Sequence, residues 1–220
     1  AVLAALVAAG ADWIQVDEPS AAIVPGQIDE YVKMFNACVE GVNAKIGYHV
    51  CFGNLLSRPR GKRSYRWMFP ALLDTKCDQF VFEYANREMA EIELWKEIGV
   101  DREVACGVVD VKSFYMETPE DVAERIRLCL EHIPAERLSL VPDCGFFPVP
   151  RWVAFEKLKR LTAPVVRVRG DGRLKDRILT GDLALSSPAL RAISRGAVDL
   201  GANRYRKVVV GLDLLRPNAL

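Results

Sequence analysis

Short runs of consecutive apolar residues recur along this chain, and each ends on or beside a polar residue. They cover residues 13–17, 46–51, 79–84, 104–110 and 138–143. Their starts lie about 25–35 residues apart, the length of one strand-plus-helix unit. Apolar and polar positions do not alternate within them, as expected of strands buried on both faces of a parallel sheet. Helical patterns fill the gaps. Residues 29–43 place Tyr31, Phe35, Cys38, Val39 and Val42 on one stripe, and residues 87–98 carry Met89, Ile92 and Trp95. Thr118-Pro119-Glu120-Asp121 is a helix start, with a Thr cap, Pro in the first position and acids in the first turn. Val122, Ile126, Cys129, Leu130 and Ile133 would form its buried face.

Five such units fit either a doubly wound sheet or part of a (βα)8 barrel. Polar residues close nearly every run, which favours the barrel, because there the carboxyl ends of all strands meet at one face. The expected fold class is therefore α/β, a partial TIM-type barrel of roughly the C-terminal five βα units. A closed barrel needs eight strands, and the chain opens without Met inside a helical pattern, so the earlier strands are expected upstream. Residues 1–163 form the expected barrel portion, with 19 Lys and Arg against 24 Asp and Glu; residues 164–220 invert that balance, with 11 against 5. This basic stretch lacks Glu, Phe and Trp and departs from the βα rhythm. It is expected to be a tail or helical cap, or, the preferred expectation, a non-native reading frame.

The polar residues at the strand ends carry the chemistry. In Tyr48-His49-Val50-Cys51-Phe52, His49 and Cys51 are two apart on a strand and point the same way. Glu83 closes the third run, and Cys144 follows the fifth in Pro142-Asp143-Cys144-Gly145. An imidazole, two thiolates and a carboxylate make a tetrahedral zinc shell. The plainer alternatives are a core His and Cys, a Glu83–Arg87 ion pair and a core Cys144. Asp17 and Glu18 end the first run and suit a substrate ammonium group, or a rim ion pair. Asp110 and Lys112 end the fourth; Lys112 would donate a proton or clamp an anion, with Asp110 orienting it, or the two form a rim pair. His132, near a helix end, reads as structural. The basic loop Arg58–Arg66 suits an anionic substrate tail or plain solvation.

Together these residues resemble the C-terminal catalytic domain of cobalamin-independent methionine synthase and its paralogues. The resemblance runs from about Gly10 to Leu161 and rests on Ile14-Gln15-Val16-Asp17-Glu18-Pro19, His49-x-Cys51, Glu83, Gly107-Val108-Val109-Asp110 and Pro142-Asp143-Cys144-Gly145. It implies a (βα)8 barrel with zinc at its carboxyl face, held by His49, Cys51, Glu83 and Cys144, and homocysteine bound through its amino group by Asp17. Two departures touch the methyl-donor side. Lys112 stands where the family usually has a His that acts as general acid, and Ile23 stands where an acid helps bind folate. The basic loop from Arg58 is also longer than usual.

The expected reaction is zinc-dependent transfer of a methyl group from a folate to homocysteine, giving methionine. The alternatives are a paralogue using another thiol or electrophile, such as coenzyme M with an epoxide, and an inactive fragment. A formal net charge of +1 offers nothing to nucleic acid or an anionic membrane. No apolar run reaches the roughly 18–20 residues of a bilayer span. The apolar opening lacks the basic leader of a signal peptide, and six cysteines in a chain of this length fit a reducing cytoplasm better than a disulfide scaffold.

Overall fold

The computed structural model describes residues 1–54, 62–99 and 101–161 in full, and the backbone of residues 162–168, 178–186, 191–199 and 204–213. Strand and helix alternate: α1 Val2–Ala8, β1 Trp13–Glu18, α2 Ile28–Val39, β2 Lys45–Val50, β3 Gln79–Phe82, α3 Leu94–Ile98, β4 Glu103–Val109, α4 Pro119–His132, β5 Leu138–Pro142 and α5 Arg151–Val168. Strands β1 to β5 are mutually parallel neighbours in sequence order. This is the α/β portion of a barrel expected from the apolar runs. β2, β3 and β4 are almost wholly buried, whereas β5, at the end of the parallel run, is half-buried.

Beyond α5 the rhythm changes. β6 Ile178–Ser186, β7 Arg191–Asp199 and β8 Arg204–Asp213 form an antiparallel meander. β8 runs parallel to β1 and pairs with it at Trp13 and Ile14. Helix α5 crosses the compositional boundary at residue 163 and continues to Val168.

Two helical stripes differ from the sequence reading. In α2 the buried residues are Ile28, Val32, Phe35 and Val39. This face is rotated from the expected one, leaving Tyr31 half-buried and Cys38 exposed. In α4 the buried line is Val122, Ala123, Ile126 and Cys129, with Ile133 just past the end, while Leu130 lies on the solvent side. The larger departure is the pattern over residues 87–98. Only Leu94–Ile98 is α-helical, because Glu88, Met89 and Glu91 take left-handed backbone (φ 54°, 62° and 67°). A left-handed residue cannot continue a right-handed helix. Glu91 offsets that cost by accepting from Tyr65 N–H, Ser64 Oγ and Arg87. Met89, Ile92 and Trp95 are nevertheless buried as their apolar character requires.

The expected start of α4 is present in full. Thr118 Oγ1 accepts from the Asp121 amide at 3.1 Å, and Asp121 Oδ2 accepts from the Thr118 amide at 2.7 Å, with Pro119 first in the helix. This reciprocal cap satisfies two amides that the helix leaves open. Thr118→Ala should therefore cost about 1 kcal/mol, read as a lower midpoint in urea unfolding with unchanged slope.

Candidate metal centre

Parallel pairing brings the strand ends to one rim. His49 lies within β2, in register with Asp17 of β1 on one side and Val81 of β3 on the other. Cys51 is the first residue past β2, Glu83 the first past β3 and Asp110 the first past β4; Asp143 and Cys144 follow β5. His49 and Cys51 are each 2% exposed. Cys51 Sγ is 4.0 Å from Cys144 Sγ. The ligating atoms of His49, Cys51 and Cys144 all lie within 4.8 Å of one another. Two sulfurs and one imidazole nitrogen at that spacing fit a borderline-soft divalent ion such as zinc.

The two thiols differ. The hydrogen bond to Cys144 and burial push Cys51 up, while the same bond and the nearby His49 pull Cys144 well below the usual thiol range against its burial.

Glu83 is not in the three-donor group. It is fully buried, and its Oε2 accepts from Lys112 Nζ at 2.6 Å and from the Phe52 amide at 3.3 Å. Its Oε1 has no hydrogen-bond partner among the described residues. A buried, unpartnered carboxylate oxygen beside a His–Cys–Cys group fits a place for a cation. Arg87, the partner expected for Glu83 in the plain reading, instead pairs with Glu91 at 3.0 Å and lies over the rings of Phe52 and Tyr65. Arg87 ends the short 3-10 turn Ala85–Arg87, and its guanidinium is held by Glu91 and the Arg63 carbonyl.

Asp17 is exposed at the end of β1, holding Gln15 Nε2 at 2.6 Å. Glu18 caps the following turn through the Ser20 amide at 2.7 Å. Asp110 meets Lys112 through the backbone: its Oδ1 accepts the Lys112 amide at 2.7 Å and Asn86 Nδ2 at 3.1 Å. The Lys112 ammonium, 1% exposed, is turned inward to Glu83. Residues 58–61 of the basic loop lie outside the described residues; of the rest, Arg63 binds Asn86 and Arg66 pairs with Glu93 and Glu97. His132 is in the last turn of α4 and outside the three-donor group.

Three residues essential to this arrangement escaped the sequence reading. The Tyr65 hydroxyl, fully buried, lies 3.2 Å from the carbonyls of Val50 and Glu83 and 3.1 Å from the Glu83 amide, joining the ends of β2 and β3. Asp143, also fully buried, accepts from the amides of Tyr84, Ala85 and Asn86 at 2.8, 2.9 and 2.6 Å. Burial and the charge of Glu83 push its carboxyl up to about 7, against those three donors. Gly107 leaves the space: a Cβ there would lie 2.1 Å from Asp143 Oδ1 and 2.7 Å from its Cα. Asp143 and Gly107 stand within the quoted motifs, yet nothing in their spacing announces this contact, and Tyr65 has no local signal at all.

A rim of this kind, with a soft donor set at the carboxyl end of parallel strands, defines a barrel-type α/β domain with a candidate metal centre. Residues 1–164 match the family described as the catalytic domain of cobalamin-independent synthase, and the chain belongs to the cobalamin-independent methionine synthase family. It is 36% identical over 160 residues to a methionine synthase of Thermococcus kodakarensis, covering 73% of this chain and 44% of that protein. It is 35% identical over 170 residues to one of Saccharolobus solfataricus, covering 77% and 48%. A B12-independent methionine synthase from Shewanella sp. W3-18-1, solved in complex with selenomethionine, superposes with a TM-score of 0.67 at 29% identity, over 74% of this chain and 50% of that one. The chain spans about half the length of the curated relatives it matches. No helix among the described residues is long and apolar enough to cross a membrane.

Gly107→Ala forces its Cβ against both Asp143 Oδ1, a side-chain atom pinned by two amides, and the Asp143 Cα. The substitution should cost roughly 1–3 kcal/mol, as overpacking of a tight site does. Denaturant titration would register this as an earlier midpoint.

Proposed function

We propose that this chain carries the thiol-activating half of a methionine synthase: a zinc-dependent methyl transfer from a folate, 5-methyltetrahydropteroylglutamate, to homocysteine. The observation that carries the proposal is the meeting of His49, Cys51 and Cys144 within 4.8 Å at the strand ends, next to the exposed carboxylate of Asp17. The relatives' names and the selenomethionine complex of the Shewanella enzyme support the same reading.

His49, Cys51 and Cys144 would hold the zinc, with Glu83 Oε1 as the fourth donor. Bound there, zinc lowers the pKa of a coordinated thiol so that it is a thiolate at neutral pH. The chain's own residues then do the rest. Two thiolates already balance the ion's charge, so the donor sulfur keeps its electron density. Asp17, exposed beside His49, takes the amino group of homocysteine and aims its sulfur inward; Glu18, fixed by the Ser20 amide, shapes the neighbouring turn. The buried walls of β2 and β3 exclude the water that would otherwise solvate and blunt a thiolate. In the transfer, a sulfur–methyl bond would form as the donor's nitrogen–methyl bond breaks; the nitrogen keeps that electron pair and takes up a proton, balancing the one the homocysteine thiol gives up. Cysteine usage suits a cytoplasmic setting.

The test is zinc per chain in the purified protein, followed by methyl transfer to homocysteine. The expected result is about one tightly held zinc, the complement of one tetrahedral site, lost in Cys51→Ser and Cys144→Ser together with activity. A folded chain that holds no zinc, or a Cys144→Ser variant that retains both zinc and activity, would refute the proposal.

A further inference from the structure

The Lys112–Glu83 pair is the unusual feature of the rim. Both side chains are essentially out of water, 1% and 0% exposed, at a separation of 2.6 Å. Lys112 is braced on a fixed loop. Its amide is held by Asp110, Asp110 is held by Asn86, and the Asp110 amide is held by Glu117 at 2.8 Å. Glu117 is in turn fully buried between Lys157 at 2.8 Å and Arg125 at 3.4 Å. The ammonium therefore stays where it is, on Glu83 Oε2, while Oε1 remains without a hydrogen-bond partner among the described residues.

We infer, resting on the zinc reading above, that Lys112 is a positioning residue that makes Glu83 the exchangeable donor of the metal site. Two effects lead there. A carboxylate that shares its charge with an ammonium is a weaker donor through its free oxygen. A carboxylate with a permanent ammonium partner can also leave the ion without becoming a bare buried anion, a state that is otherwise strongly disfavoured. Lys112 lowers the affinity of Glu83 for the ion and also the cost of releasing it. The fourth position is thereby kept open to an incoming thiol.

The experiment compares the full-length chain with Lys112→Met, Glu83→Gln and the double variant. Zinc affinity is read by competition with a chromophoric chelator. The expected result is that Lys112→Met binds zinc roughly tenfold tighter, a change comparable in size to the 10–100-fold effects of outer partners but opposite in sign to their usual loss of affinity, and that this gain vanishes when Glu83 is Gln. In the cobalt-substituted protein, the thiolate-to-cobalt absorption should need about tenfold more homocysteine to appear in Lys112→Met than in the parent, the same change read from the exchange side. Where Lys112→Met does not fold, Lys112→Gln keeps a neutral donor on Oε2, and tighter zinc with weaker thiol exchange is again expected. Zinc affinity that is unchanged or weaker without Lys112, or a gain that persists in the Glu83→Gln background, overturns the inference. A parent chain that folds but binds no zinc overturns the metal reading itself, and this outcome is separate from a parent that binds zinc without the coupling.

Discussion

The Asp143 carboxylate is the tie on which the rim depends. Adjacent parallel strands are joined by their ladders, but β3 and β5 are separated by β4 and share none. Asp143 spans that gap by accepting three successive amides just past β3, at Tyr84, Ala85 and Asn86. Those amides open a short 3-10 turn and would otherwise lack partners. The carboxylate reaches them over Gly107 of β4, where any side chain would stand in its way. Because Asp143 precedes Cys144 and Tyr84 follows Glu83, one side chain sets the distance between Glu83 and Cys144 on non-neighbouring strands.

Around that tie the buried charges come in balanced sets. Glu83 has Lys112, and Glu117 has Lys157 and Arg125. Both carboxylates are fully buried, so either would be costly alone, and their pairing is a condition of folding rather than a source of extra stability. Their placement matters more than their net energy. Glu117 holds the loop after β4, the same loop presents Lys112, and Lys112 faces the Glu83 carboxylate. Tyr65 adds a neutral brace by joining the ends of β2 and β3 with one hydroxyl. The metal-site residues thus sit in a frame of hydrogen bonds drawn from four strand ends.

Much of this was legible in the chain. The five apolar runs became five parallel strands, since burial on both faces leaves an uninterrupted apolar signal. Thr118 and Asp121 announced their helix because a reciprocal cap is local. His49 and Cys51 are two apart on one strand, so their shared direction follows from strand geometry alone. The misreadings share a cause. The pattern over residues 87–98 has helical spacing, but the left-handed backbone at Glu88, Met89 and Glu91 is held by contacts of Glu91 to Ser64 and Tyr65, more than 25 residues away. Glu83 has Arg87 four residues on and Lys112 a strand further away, and the near partner is taken instead by Glu91 and the carbonyl of Arg63, the latter 24 residues distant.

What the sequence determined by itself was the five parallel strands, the capped helix α4 and the candidate donors, because apolar run length, capping and ligand type are properties of residues and their immediate neighbours. It also placed each donor at a strand end. Only the tertiary structure decided which donors meet. His49, Cys51 and Cys144 converge because parallel pairing aligns β2 with β5 through two intervening strands, and Asn54 Nδ2 donates to the Gly145 carbonyl across that gap at 2.8 Å. Glu83 meets Lys112 there through Oε2, a buried cation that the fold supplies from the loop after β4, and keeps Oε1 turned from that pair. Such choices depend on contacts between residues 29 and 93 positions apart, as with Lys112–Glu83 and Cys51–Cys144, and no local pattern encodes them.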